Sequence, residues 1–250
     1  MCRNLSNMTK SWFEDWFNTH YYFLLYQNRN NEEARAFLEL LVRHLKIPAG
    51  TRVLDMACGK GRHSMVLADL GMKVCGIDLS PNSIKQASES AGPHLEFHVH
   101  DMRIPFAQEE FDVVVNLFTS FGYTDRDADD LNTLHAAFTA LKPGGLFIQD
   151  YLNAGPVLKQ LPQTDTVNRE GIVFHTHKYL DMPFIIKEIE VTDAEEQHTY
   201  REQVKVYSAE KLTGLHQEAG FRVEAVFGNM ELESFSEATS PRIIIISRKP

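Results

Sequence analysis

The sequence predicts an α/β fold: a mostly parallel sheet with helices on both faces, and a small antiparallel sheet inserted late in the chain. Three observations carry this. Between about residues 32 and 150, short apolar runs alternate with stretches of helical period. A glycine-rich turn, "DMACGKGRH", follows the first of those runs. Residues 171–207 then alternate apolar and polar residues by twos. The 250 residues, 43% of them hydrophobic, suffice for one good-sized core with an elaboration on it.

Taken in order, residues 9–29 are loaded with aromatics: Trp12, Phe13, Trp16, Phe17, Tyr21, Tyr22, Phe23 and Tyr26. Residues 32–46 form an amphipathic helix, with Ala34, Phe37, Leu38, Leu41, Val42 and Leu45 on one face. Glu32 and Glu33 suit its first turn, and Pro48 and Gly50 end it. The strand "TRVLDM" precedes a helix near 62–70. The strand "KVCGID" ends at Asp78, and Ser80 and Pro81 open a helix near 81–90 as N-cap and first helical residue. "LEFHVH" and "FDVVVNLF" are the next two strands, the second buried on both faces. A helix near 127–141 follows, then a turn at "LKPGG" and the strand "LFIQDY". Residues 155–170 read as a loop. Residues 171–180, 184–192 and 198–207 read as a three-stranded antiparallel sheet. A helix from about 208 to 219, capped by Ser208 and ended by Gly220, returns the chain to the core. Strands near 221–228 and 242–248 close it.

Composition narrows the function classes. The net charge is −9 with no basic block, which argues against a nucleic-acid partner. The longest aliphatic run, Ile243 to Ile246, is far too short to span a bilayer. The first residues carry Glu14 and Asp15 and no long apolar stretch, so no secretory leader is expected. Cys2, Cys58 and Cys75 are odd in number and lack metal-ligand spacing. The expectation is a reducing cytoplasm, no disulfide framework, no metal site and no membrane.

Asp55, Gly59 and Gly61 fall at the carboxyl end of the first strand, the ligand edge of an open α/β sheet. Asp78 ends the second strand, 17 residues after Gly61, where a carboxylate can accept the hydroxyls of a ribose. Asp101 follows the third strand, where an acid suits the amino group of an adenine. A dinucleotide fingerprint requires a third glycine where this chain has Ser64.

"VLDMACGKGRH", "VCGIDLSPNSIKQA", "VHDMR", "FDVVVNLFTSFGY" and "LKPGGLFIQDYLN" together resemble the class I S-adenosylmethionine-dependent methyltransferases. The resemblance runs from about 51 to 154 and resumes from 208 to 250. It implies a Rossmann-like sheet of order 3-2-1-4-5-7-6 with strand 7 antiparallel. It also implies a core of residues 1–154 and 208–250, with 1–30 as an aromatic lid and 155–207 as a cap over the active site. The cofactor would be S-adenosyl-L-methionine, with S-adenosyl-L-homocysteine as product, and the partner a small-molecule substrate.

By the same resemblance, Asp55 would orient the methionine amine and the backbone of Ala57, Cys58, Gly59 and Gly61 would line the methionine and ribose. Asp78 would grip the ribose, Leu79 would pack on the adenine, and Asp101 and Met102 would read its edge. Asn116, Leu117 and Phe118 would sit near the sulfonium. Many members of the family carry Gly where this chain has Ala57, which implies a tighter turn here.

Methyl transfer needs no signature catalytic side chain, and none is assigned. Tyr22, His63, Tyr123, Tyr151 and Asn153 are the candidate substrate contacts. His175 and His177 share a face of the inserted sheet, read as solvated. His98 and His100 share a strand face and read as structural, with His100 nearer the adenine. Two other readings stay open on the residues alone: a nicotinamide-dependent oxidoreductase, and a cofactor-binding module without catalysis.

Overall fold

The computed structural model describes residues 12–27 and 31–250. Cys2 and the flanks of the aromatic segment, residues 9–11 and 28–29, lie outside the described residues. The aromatic segment forms two short helices, α1 (Trp12–Trp16) and α2 (His20–Leu25), and α3 (Asn31–His44) follows. The core alternates β1 (Arg52–Met56), α4 (Arg62–Asp69), β2 (Lys73–Asp78), α5 (Pro81–Ala87), β3 (Leu95–Val99), β4 (Phe111–Asn116), α6 (Asp127–Ala140) and β5 (Leu141–Leu152). Then come α7 (Ala154–Leu158) and four strands, β6 (Gln163–Arg169), β7 (Ile172–Asp181), β8 (Phe184–Asp193) and β9 (Glu196–Lys205). The chain finishes with α8 (Ala209–Glu218), β10 (Arg222–Phe227) and β11 (Arg242–Arg248).

The main sheet has the order β3-β2-β1-β4-β5-β11-β10. Its first five strands are parallel, and β11 runs antiparallel between β5 and β10. This is the order expected from the resemblance. Alternation within each strand divides the core. Leu54, Met56 and Phe147 face Leu134 of α6 and Leu212 of α8. Val53, Val74 and Ile148 face Leu38 of α3, Val66 of α4 and Ile84 of α5. Ser80 and Ser208 cap α5 and α8 by accepting from the N–H groups of Ser83 and Lys211.

Two local expectations are corrected. The stretch 155–170 is not a loop: it holds α7 and β6, so the inserted sheet has four strands. The sequence of β6, QTDTVNR, is polar almost throughout because it is an edge strand paired only with β7, so apolar alternation never marks it. "LKPGG" is not a separate turn but an irregularity inside β5, where pairing with β4 jumps from Phe111–Leu141 to Val113–Leu146. The displaced backbone is held from the far end of the chain: Lys249 N donates to Gly145 O at 2.9 Å and Arg248 Nη1 to Gly144 O at 2.6 Å.

The inserted sheet has a hydrophobic core shared with the N-terminal helices. Trp16, Leu24 and Leu25 pack on Ile172, Phe174, Ile189 and Val191. Trp16 is 0% exposed, and its Nε1 donates to Glu202 Oε1 at 2.7 Å. Tyr21 Oη donates to Asp193 Oδ2 at 3.1 Å. The same helices also touch the main sheet's ligand edge. Ser80 Oγ donates to Asn18 Oδ1 at 2.6 Å, and Asn82 Nδ2 to Asn18 O at 3.0 Å.

Candidate active site

The loop after β1 is built from left-handed residues: Ala57 (φ 61°), Gly59 (φ 57°) and Gly61 (φ 79°). Ala57 carries a Cβ in a region that glycine prefers. Gly61 is the N-cap of α4, and a Cβ there would come within 2.6 Å of the Phe97 ring. The turn is pinned from β2. Asp78 Oδ2 accepts from Gly59 N at 2.9 Å, and its Oδ1 accepts from Ser80 N at 2.8 Å. Burial pushes the Asp78 carboxyl up, against the lowering effect of those two N–H groups.

Asp101, beyond β3, is gripped by Arg103, whose Nε and Nη2 donate to it at 2.9–3.0 and 2.6 Å. Partial burial works to raise this carboxyl, but Arg103 outweighs it and holds Asp101 below the ordinary aspartate value. Arg103 Nη1 continues to Asp129 on α6 at 3.3 Å.

These strand ends open into a cavity of about 1110 Å³ roofed by α1, α2 and the inner face of the four-stranded sheet. Ala57, Cys58, Gly59, Asp78, Leu79, Asp101, Met102, Leu117 and Phe118 line it, as do Tyr22, His63 and Tyr123. His100 also lines it, with Nε2 2.9 Å from Ile104 O.

The structure moves other expected residues off that wall. Asp55 is 1% exposed and accepts from Ser64 Oγ at 2.5 Å, beneath the turn. Burial pushes its carboxyl up to about 7. Ser64 therefore fills the third-glycine position to hold Asp55. Gly61 serves helix entry and close packing instead of the cavity wall. Asn116 is fully buried, with Nδ2 donating to Met56 O and Ser120 O at 3.1 Å each. Tyr151 Oη donates to Lys205 O at 2.7 Å inside the core. Asn153 caps α7 and ties down Glu237 O and Ser240 O at 2.8 Å each. Asp55, Asn116, Tyr151 and Asn153 all satisfy buried polar groups. His175 and His177 face away from the cavity, toward Thr166 Oγ1 (2.9 Å) and the Tyr179 ring (5.0 Å between centroids).

Asp150 and Arg242 escaped the sequence reading. Phe118 and Thr119 are consecutive left-handed residues, with φ 62° and 61°. Asp150 Oδ2 accepts from Phe118 N at 2.8 Å, and Arg242 bonds both Asp150 Oδ1 (2.7 Å) and Thr119 Oγ1 (2.9 Å). The visible signal was a lone acid within the apolar run of β5. Cys75, Glu96 and His98 bring ligand atoms within 4.8 Å of one another across β2 and β3. None of the three lines the cavity, and burial together with Glu96 raises the Cys75 thiol to about 12.

Residues 53–145 match the family model described as a methyltransferase domain. The matched stretch runs from β1 into the irregularity of β5. Among curated proteins, the chain is 32% identical over 127 residues to the methyltransferase-named protein YqeM of Bacillus subtilis. It is 36% identical over 112 residues to a ubiquinone biosynthesis O-methyltransferase of Ruegeria pomeroyi. Those matches take in 50% and 43% of this chain, and the chain spans about half the length of these relatives, 51% and 44%. Among solved structures, an S-adenosylmethionine-dependent methyltransferase of Clostridium acetobutylicum superposes with a TM-score of 0.77 at 16% identity, over 91% of this chain and 95% of that one. CalS10, an amino pentose methyltransferase of Micromonospora echinaspora solved with S-adenosylmethionine, gives 0.70 at 20% identity, over 93% and 98%. At such identities the likeness is one of fold. It extends beyond the methyltransferase domain to most of the chain.

Proposed function

We propose that this protein transfers a methyl group from S-adenosylmethionine to a nitrogen, oxygen, sulfur or carbon atom of a small molecule. The carrying observation is that Gly59, Asp78 and Asp101 open into the same cavity as Tyr22, Tyr123 and the inserted sheet. The donor set fits an adenosine. Each Asp78 oxygen accepts one backbone N–H and keeps a lone pair for a ribose hydroxyl. Leu79 and Met102 offer apolar surface for the base. When bound, the cofactor supplies an activated methyl group on a sulfonium.

The chain's own work is to hold the acceptor in line and to exclude water. Positioning of that kind contributes about 7–11 kcal/mol to lowering a barrier. Trp12, Phe13, Phe17 and Phe23 form an aromatic side of the cavity. Phe23 is clasped to the glycine turn by Lys60, whose ammonium lies 3.6 Å from its ring centroid. An acceptor that arrives protonated would find His63, Tyr22 and Tyr123 on the wall. A cavity roofed by protein on two sides favours a small acceptor, and the net charge of −9 disfavours nucleic acid.

Incubation with methyl-labelled S-adenosylmethionine and a metabolite extract, read by mass spectrometry, should yield a labelled small molecule. Asp78→Ala should weaken S-adenosylhomocysteine binding in calorimetry by about 10- to 150-fold, the loss of a charged acceptor. Tight binding of NADH in place of S-adenosylhomocysteine would overturn the proposal.

A further inference from the structure

The inner face of the inserted sheet carries a polar row that runs across all four strands. Register sets Gln163, Lys178, Lys187 and Glu202 side by side across β6, β7, β8 and β9. The neighbouring rows bring Thr176 opposite Ile189 on one side, and Ile185 opposite Val204 on the other. All four residues of the polar row line the cavity.

Two lysines directly opposite each other on antiparallel strands repel, so this pair costs the sheet stability. Neighbouring groups relieve only part of it. Glu202 is engaged by Trp16 Nε1 at 2.7 Å and by Tyr26 Oη at 2.8 Å. Lys187 Nζ donates to Tyr26 Oη at 2.9 Å. Gln163 Nε2 donates to Asp165 Oδ2 at 2.8 Å. Glu202 and Asp165 act on Lys178 through space, but burial and Lys187 outweigh them and depress its ammonium. Lys178 Nζ makes no hydrogen bond or ion pair with any described residue. Its donors are therefore available to whatever enters the cavity.

We infer that Lys178, with Lys187 opposite it, receives an anionic group of the methyl acceptor, a carboxylate or a phosphate; this rests on the function proposed above. The cofactor's own carboxylate would have other cations to meet, because Lys60 and Arg62 flank the glycine turn and line the same cavity. An anion between the two lysines replaces their repulsion with charge-assisted hydrogen bonds. Phosphate esters and carboxylates share that chemistry, and inorganic probes separate them.

The test uses the full chain saturated with S-adenosylhomocysteine, titrated with phosphate, pyrophosphate or acetate at constant ionic strength, and followed by calorimetry and thermal shift. At least one anion should bind saturably; a phosphate series response marks a phosphorylated acceptor, and an acetate response a carboxylate. Lys178→Met should weaken that binding by about tenfold or more, the loss of a charge-assisted hydrogen bond. Lys178→Arg should keep most of it, and Lys85→Met, a change on the exposed surface, all of it. No saturable anion, or binding that Lys178→Met leaves unchanged, would overturn the inference. So would loss of S-adenosylhomocysteine binding in folded Lys178→Met, which would assign the lysine to the cofactor. Failure of the wild type to bind S-adenosylhomocysteine at all would instead sink the proposed function.

Discussion

Burial acts on Asp55 and His216 with opposite signs across overlapping pH intervals. An unfolded Asp55 titrates near 3.8 and the folded one near 7, so between these values only the unfolded chain gives up its proton. This favours unfolding as pH rises, by a total on the order of 4 kcal/mol. His216 is wedged between Ser247 Oγ and Gln149 Oε1, each at 2.9 Å, and burial pushes it down to about 3. Its neutral form supports the fold fully above its unfolded value of 6.5, and that support is lost as pH falls toward 3. Asp55→Asn keeps an acceptor for Ser64 and removes the acid. Urea titrations should show the variant gaining a few kcal/mol over wild type at pH 8, with the gain vanishing near pH 4. A pH-independent difference would mean that Asp55 is not held neutral. Asp78 and Asp101 were legible because strand ends announce themselves in sequence. The burial of Asp55, Asn116 and Tyr151 was not, because the alternation that gives a residue its face does not say how deeply neighbouring loops cover it.

At the scale of elements, the joint between the inserted sheet and the core converges on Lys205, the last residue of β9. It is 3% exposed. Its Nζ bonds Asp130 at 2.6 Å and Asp127 at 2.7 Å on α6, while its backbone N donates to Gly122 O at 2.9 Å. Its carbonyl receives Tyr151 Oη. Tyr207 Oη also donates to Asp130, at 2.8 Å. Lys205→Met would leave Asp130 buried with its ammonium partner gone, a loss of about 3–5 kcal/mol. Thermal denaturation should show it, and the double variant Lys205→Met with Asp130→Leu should recover much of it. If the single variant matches wild type, the buried pair is not what secures the joint. The helices and the period-two strands were legible from apolar spacing. β6 was not, since an edge strand of polar residues carries no such signal.

For the whole molecule, the order of the main sheet followed from the family resemblance that the strand-end motifs carry. The alliance of α1 and α2 with a sheet more than a hundred residues away did not, because aromatic content says only that something will be buried. Two hydrophobic clusters flank the main sheet, and a third joins the N-terminal helices to β7 and β8. Asn18 binds beside the Asp78 loop, so S-adenosylhomocysteine should raise hydrogen-exchange protection in residues 12–27 as well as around Gly59. Protection confined to the glycine turn would count against a lid that senses the cofactor site. The third cluster also bears on how such proteins diversify. Its two halves are encoded at opposite sides of the methyltransferase domain, yet each is the other's interior. A chimera that grafts a foreign 163–205 onto this chain while keeping the native 12–27 would inherit two mismatched half-cores, with Trp16 facing a wall not shaped for it. On the function proposed above, substrate range in this architecture travels as a pair of distant segments, and recombination that moves one must move both.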